Sequence, residues 1–225
     1  HTISRRQRQM CIRDSINMLQ RLVVHRPARL GEALTVKGEI KSVTAVPRGQ
    51  RVETDVWFED LAGERVISCP RTSLRPQAQG QSKSGAGDKP QPVVGDVAAL
   101  LLRHTYQLTP DRVKSYSVEG NSIHYEQEAA ERAGFRAPLI GGGMGVHYLT
   151  AQMWQDRRPS FFDVSIYFRR PIFWDEAVQV GVIEDGGNWS GMGLLKLPLK
   201  AERVGTSSEV AKVGTELSIA DYRLA

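Results

Sequence analysis

Two copies of one short pattern constrain how this chain can fold. Residues 26–36 (RPARLGEALTV) align without a gap with residues 170–180 (RPIFWDEAVQV), and five positions are identical. Each copy follows a run that predicts a β-strand, residues 16–25 and 163–169, and precedes an alternating apolar pattern. Alternation is typical of half-buried strands, and self-similarity indicates a repeat. The sequence therefore predicts a duplicated antiparallel unit.

A polar interval separates the two copies. Residues 77–96 are rich in Gln, Gly, Ser and Pro, which is typical of a flexible linker. We therefore predict a first repeat at 16–76 and a second domain at 97–225. Two further strands are expected after each copy of the pattern, at residues 51–58 and 64–74 in the first part and at 194–203 and 209–219 in the second.

The second part carries elements that the first part lacks. We predict a strand at Val113–Val118 and a short alanine-rich helix at Glu126–Ala133. The helix ends at Gly134, a residue that commonly caps helices. A longer apolar helix is expected over Gly143–Gln155, and its composition favours burial against a sheet. His147 lies within this helix and is predicted to be a residue of the protein core.

The charge distribution argues against nucleic acid as a partner. The net charge is +5, but residues 1–15 carry four arginines and one aspartate, and so contribute +3. The other 210 residues carry only +2, without a basic stripe. The longest apolar run, residues 97–102, falls far short of the about 20 residues that a membrane helix needs. With two cysteines and no secretory pattern, we expect a cytoplasmic protein that contacts neither nucleic acid nor membrane.

The first 15 residues resemble the translation of a sequencing adaptor, notably the run RRQRQMCIRDS. We interpret residues 1–15 as read-through at the edge of an assembled metagenomic fragment and exclude them from the fold. The native first repeat would then begin part-way, after its own helix. An apolar sheet face left uncovered is the expected consequence.

Three polar side chains precede the long helix at short spacing. Glu119, Asn121 and His124 lie within six residues, and the run Gly141-Gly-Gly-Met follows. A carboxylate and an imidazole transfer protons, and the backbone N–H groups of a helix start stabilise negative charge on an oxygen. This combination favours proton transfer beside a polarised carbonyl group.

The same residues resemble the signature of the MaoC-like, R-specific enoyl-CoA hydratases of the hot-dog family. That signature reads Gly-Asp-x-Asn-Pro-aliphatic-His, with Gly-Met at the next helix start. The matching positions are Asn121, Ile123, His124 and Gly143-Met144. Three positions depart from it: Glu119 replaces the aspartate, Ser122 the proline, and Gly142 a histidine that commonly precedes Gly-Met.

The resemblance implies an α+β double hot-dog fold, in which an antiparallel sheet wraps around a long helix, here with the first repeat incomplete. It also implies a hydratase or dehydratase acting on 2-enoyl and 3-hydroxyacyl thioesters, with coenzyme A as part of the substrate or an acyl carrier in its place. No metal or other cofactor is implied. A homodimer, or a pseudo-dimer formed by the two repeats, is the expected assembly.

The resemblance also implies roles for the site residues. His124 and Glu119 would hold water and transfer protons, and Asn121 would position the water. The N–H groups of Gly142 and Gly143 would stabilise the thioester oxygen. Two alternatives stay open: thioester hydrolysis on the same fold, and a non-catalytic subunit that binds acyl thioesters, which the changes at 119 and 142 permit.

Overall fold

The computed structural model describes residues 15–47, 49–76, 94, 96–117 and 121–197, and the backbone alone of 216–223. The chain divides into two compact units. Among the described residues, the first unit comprises parts of 15–76, 159–167 and 222–223, and the second comprises 94–158 and 168–221. In the part of the chain described, no helix is both long and apolar enough to cross a membrane.

The first unit is an antiparallel sheet. Its strands are β1 (Ile16–Val24), β2 (Thr35–Val46), β3 (Gly49–Glu59), β4 (Arg65–Ser68), β5 (Arg71–Pro76) and β7 (Phe162–Phe168). The strand order is β2-β3-β4-β1-β7, and β5 pairs with both β1 and β3. Within its described residues this unit contains no helix.

One face of the first sheet is apolar, and it is exposed at the β2 end. Val36 pairs with Phe58, and Phe58 pairs with Ile67, so these side chains share a face. On the same face of β2, Val36 is 60% exposed and Ile40 is 64% exposed. The exposed apolar face that the sequence predicted is therefore present in the structure.

Within its described residues, the second unit combines a sheet with three α-helices. The strands are β6 (Leu101–Gln107), β8 (Ala177–Asp185), β9 (Asn188–Leu197) and β10 (Glu216–Arg223), and the helices are α1 (Pro110–Ser117), α2 (Gln127–Arg132) and α3 (Gly142–Asp156). The strand order is β10-β9-β8-β6. Short 3-10 helices occur at Val97–Ala99 and Ser122–His124.

Helix α3 packs on β8 and β9. Val178, Val180 and Leu194 lie on the same face of these strands and are fully buried. A methyl group placed on Gly145 of α3 would lie 3.6 Å from Leu194 Cδ1, an ordinary contact distance, so this face of the helix lies against β9. The apolar pattern of the helix and the alternation of the strands thus meet in one core.

Both predicted helices are confirmed. Helix α2 lies inside the predicted 126–133 segment, and Gly134 follows with φ +84°, a backbone conformation that favours glycine. Helix α3 extends the predicted segment by one residue at each end.

The strand predicted at Val113–Val118 is wrong, because α1 occupies residues 110–117. Thr109 Oγ1 accepts a hydrogen bond from Arg112 N at 3.3 Å, and Pro110 takes the first helical position, where prolines are favoured. Val113 and Ser117, four residues apart, are the buried residues of this helix. The periodicity there is that of a helix.

Strand β9 begins six residues earlier than predicted. Asp185 pairs with Asn188 across a two-residue loop, and both loop residues have positive φ (Gly186 +55°, Gly187 +84°). Such loops form type I′ hairpins, for which glycine pairs are favoured. The Gly-Gly pair therefore marks a hairpin that the alternation alone did not reveal.

The duplicated pattern folds into the same turn twice. Glu32 N donates to Arg29 O at 3.0 Å, and the Glu32 carboxylate accepts from Arg29 N at 2.9 Å. Glu176 N donates to Phe173 O at 3.1 Å, and its carboxylate accepts from Phe173 N at 2.8 Å. The predicted duplication is thus visible in individual hydrogen bonds.

Candidate active site

His124 ends a short 3-10 helix that Asn121 caps. The Asn121 Oδ1 atom accepts from Ile123 N at 3.4 Å, and His124 N donates to Asn121 O at 3.1 Å. Asparagine is favoured at such positions because its side-chain oxygen satisfies a free backbone N–H. The asparagine therefore shapes the loop that carries the histidine.

The ring of His124 is oriented by one backbone carbonyl. Nδ1 lies 2.8 Å from Leu139 O, and since a carbonyl oxygen only accepts, Nδ1 carries the proton of this bond. Nε2 of the neutral ring is then a proton acceptor. Burial lowers the pKa of His124, and the hydrogen bond to Leu139 offsets part of that shift. The lowered pKa favours the neutral form of the ring.

Helix α3 begins at two of the predicted site residues, Gly142 and Gly143. Gly141 precedes them in an extended conformation, with φ −67° and ψ 150°. The first N–H groups of a helix have no partner within the helix, and they lie at the positive end of its dipole. This start can therefore bind an oxygen that carries negative charge.

The imidazole lies beside the start of α3. A methyl group placed on Gly141 would lie 3.8 Å from His124 Nε2 and 4.0 Å from Ser117 Oγ. The unprotonated nitrogen and the free N–H groups of the helix start thus border the same glycine. The structure therefore brings the unprotonated ring nitrogen of His124 next to the start of α3.

Two other predicted site residues have a different status. Asn121 caps the 3-10 helix that ends at His124, and its side-chain oxygen accepts from Ile123 N. Its contact with water stays a prediction. Glu119 lies outside the described residues, and its role also stays a prediction.

No protein-family model matches the sequence, and no curated protein is significantly similar to it. Solved structures do match. HtdX from Mycobacterium tuberculosis superposes with a TM-score of 0.72 at 18% identity, over 93% of this chain and 76% of that one. A MaoC-like dehydratase from Phytophthora capsici gives 0.63 at 19% identity, over 94% and 72%.

A third structure, the RV0216 protein of Mycobacterium tuberculosis, is described as a double hot-dog fold. It superposes with a TM-score of 0.56 at 14% identity, over 93% of this chain and 74% of that one. This chain has the double hot-dog fold. The predicted α+β architecture is confirmed.

In the second hot-dog repeat, the segment before α3 is fixed from two sides. Leu139 N donates to Ile123 O at 3.3 Å, which ties the segment to the histidine loop. On the other side, Ile140 N donates to Ile172 O and Trp174 N donates to Pro138 O, both at 2.9 Å. The carbonyl that orients His124 is therefore held by the duplicated turn.

Two residues near His124 and the start of α3 were not predicted from the sequence. They are Tyr116 and Ser117, at the end of α1. Because a strand was predicted at 113–118, their position beside α3 was not predicted. The Pro110 helix start and the spacing of Val113 and Ser117 could have revealed it. The prediction that His147 is a core residue is wrong: it is exposed, and its ring centroid lies 6.1 Å from that of Tyr116.

Proposed function

We propose that this protein adds water to 2-enoyl thioesters and catalyses the reverse dehydration of 3-hydroxyacyl thioesters. The observation that carries the proposal is the position of His124 Nε2 beside the glycine start of α3. One group accepts a proton there, and the other stabilises a negative oxygen.

The substrate oxygen is proposed to accept from the N–H groups of Gly142 and Gly143. When water attacks C3, the C2=C3 π electrons move towards the thioester, and negative charge builds on its oxygen. Fixed N–H donors stabilise that charge without reorganisation, and removing one donor from such a site typically slows catalysis about 10²- to 10³-fold.

His124 is proposed to accept the water proton at Nε2. The water oxygen bonds to C3, the imidazolium returns a proton from Nε2 to C2 of the resulting enolate, and the sum is the addition of one H₂O. Glu119 shares this acid–base work in our proposal, and Asn121 helps to position the water. The bond from Nδ1 to Leu139 O supports the assignment, because it leaves Nε2 as the basic nitrogen.

The fold supports this class of chemistry. A solved protein of similar structure is a MaoC-like dehydratase, whose name matches the reverse reaction. The substrate carrier, coenzyme A or an acyl carrier protein, belongs to the proposal. We propose no cofactor beyond the carrier itself.

Hydration of crotonyl-CoA and of a longer 2-enoyl-CoA tests the proposal, with loss of enone absorbance as the measurement. We expect turnover that falls about 10³-fold in His124→Ala, since a general base contributes about 10² to 10⁴. His25→Ala is the matched control, because His25 Nε2 contacts Ser68 Oγ in the first unit and is remote in sequence from the helix start.

Three results would contradict the proposal. Full activity in His124→Ala would remove the proposed base. Release of free coenzyme A thiol without hydration would instead indicate a thioesterase. Binding of acyl-CoA without either reaction would indicate a non-catalytic acyl-thioester subunit.

A further inference from the structure

Tyr116 places a phenol above the start of α3. A methyl group placed on Gly143 would lie 3.6 Å from the Tyr116 hydroxyl oxygen and 3.9 Å from ring atom Cε1. In a helix, the Cα–Cβ bond tilts towards the N-terminus, the direction in which the first N–H groups also point. The hydroxyl therefore lies on the side where an oxygen bound by Gly143 would sit.

Helix α1 delivers two consecutive hydroxyl groups to this place. Ser117 Oγ approaches Gly141, next to His124, while Tyr116 approaches Gly143. The helix is anchored by Val113, which is fully buried, and Ser117 itself is buried. The approach of the phenol is thus set by a packed helix.

The phenol is suited to donate. Burial raises the pKa of Tyr116, so its hydroxyl stays protonated at neutral pH. Its ring lies beside that of His147 on α3, at 6.1 Å between centroids. About half of the residue is still exposed, so a ligand can reach it.

We propose that Tyr116 is a further catalytic residue, whose hydroxyl donates a hydrogen bond to the thioester oxygen together with the N–H groups of Gly142 and Gly143. This inference rests on the proposed function. Because Gly143 has no side chain, no Cβ occupies the position 3.6 Å from the phenol oxygen.

The test uses Tyr116→Phe, which keeps the ring and removes only the hydroxyl. Butyryl-CoA with a ¹³C-labelled carbonyl binds without reacting, and the infrared frequency of that carbonyl reports the hydrogen bonds it accepts. We expect binding to lower the frequency and Tyr116→Phe to reverse part of that shift. Tyr125→Phe, at the end of the 3-10 helix, is the control and should leave the frequency unchanged.

Turnover of crotonyl-CoA gives a second readout. We expect kcat to fall about 10- to 100-fold in Tyr116→Phe, at the lower end of oxyanion donors, with KM within about threefold. An unchanged carbonyl frequency and an unchanged kcat in Tyr116→Phe would overturn the inference. Absence of butyryl-CoA binding to the unaltered protein would overturn it as well.

The two readouts separate this inference from the proposed function. Hydration that needs His124 but not Tyr116 would overturn the inference and leave the hydratase intact. A carbonyl shift that depends on Tyr116 in a protein without hydration would support the hydrogen bond from Tyr116 and overturn its catalytic role together with the hydratase.

Discussion

The two copies of the Arg-Pro turn use the same local hydrogen bonds and have opposite surroundings. Val36 and Val180 occupy the same position of the repeat, yet Val36 is 60% exposed and Val180 is fully buried. Helix α3 packs on the strand that contains Val180, whereas no described helix belongs to the unit that contains Val36. Sequence identity therefore fixes the turn, and the packing around it fixes the burial.

The carboxylates of the two turns also differ in their partners. Glu32 pairs with Arg26 of its own turn, and Arg26 also reaches Asp60 at 2.9 Å. Glu176 is buried, and its carboxylate forms salt bridges with Lys196 of β9 at 3.0 Å and with Arg136 at 3.2 Å. The Glu32 carboxylate is thus paired with an arginine of its own turn, whereas Glu176 is paired with residues from distant parts of its unit.

The largest effect is expected at the start of α3, in the second unit. Gly142→Pro removes one N–H donor, yet proline suits the first helical position, and Gly141 already has the extended conformation that a residue before proline requires. We expect hydration of crotonyl-CoA to fall about 10²-fold or more.

Gly142→Ala keeps the N–H group and serves as its control, with circular dichroism to check that both variants fold. Equal loss of activity in the two variants would mean that space at 142, and not the N–H group, is what matters.

The paired glutamates give the next test. Glu176→Gln should lower the free energy of unfolding by about 2–3 kcal/mol, because a buried carboxylate with two cationic partners loses its charge. Glu32→Gln should have the smaller effect. Urea denaturation measures both, and a larger loss at Glu32 would contradict the comparison.

The paired valines should differ in the same direction. Val180→Ala removes two buried methyl groups and should lower the free energy of unfolding by about 2 kcal/mol, as measured by urea denaturation. Val36→Ala should stay within about 0.5 kcal/mol, since the side chain is mainly exposed. Similar costs at both positions would show that the face of β2 is covered in solution.

The smallest effect concerns pH. Because burial lowers the pKa of His124, the acid limb of kcat/KM should lie below pH 6.5, the ordinary histidine value. The folded state then binds fewer protons than the unfolded state, so the stability that depends on neutral His124 is present above pH 6.5 and is lost as pH falls below it. An NMR titration checks the pKa, and a midpoint above 6.5 would contradict the structure.

Local patterns predicted the elements with the strongest periodicity. The apolar run of α3, the alanines of α2 and the Arg-Pro duplication all led to correct elements. The strand predicted at 113–118 is wrong because the Thr109-Pro110 pair starts a helix, and the spacing of Val113 and Ser117 is helical. Strand β6 was missed because its exposed Leu101 and Leu102 lack clear alternation.

The site was only partly predictable, for a different reason. Spacing pointed to His124 and to the glycine start of α3, which lie close in sequence. The contacts of Tyr116 and Ser117 depend on how α1 packs, which a one-dimensional pattern does not contain. The carbonyl of Leu139 belongs to the backbone, so no residue type in the sequence indicates that it orients His124.

Two hydrogen bonds to the second turn have a consequence for evolution: Pro138 O accepts from Trp174 N, and Ile140 N donates to Ile172 O. A duplicated element starts with two equivalent copies, but here one copy supports the carbonyl that orients His124. Substitutions at 170–176 should therefore disturb both the turn and the orientation of His124, whereas those at 26–32 should disturb the first turn without moving that carbonyl. One ancestral turn has thus acquired two different tolerances for mutation.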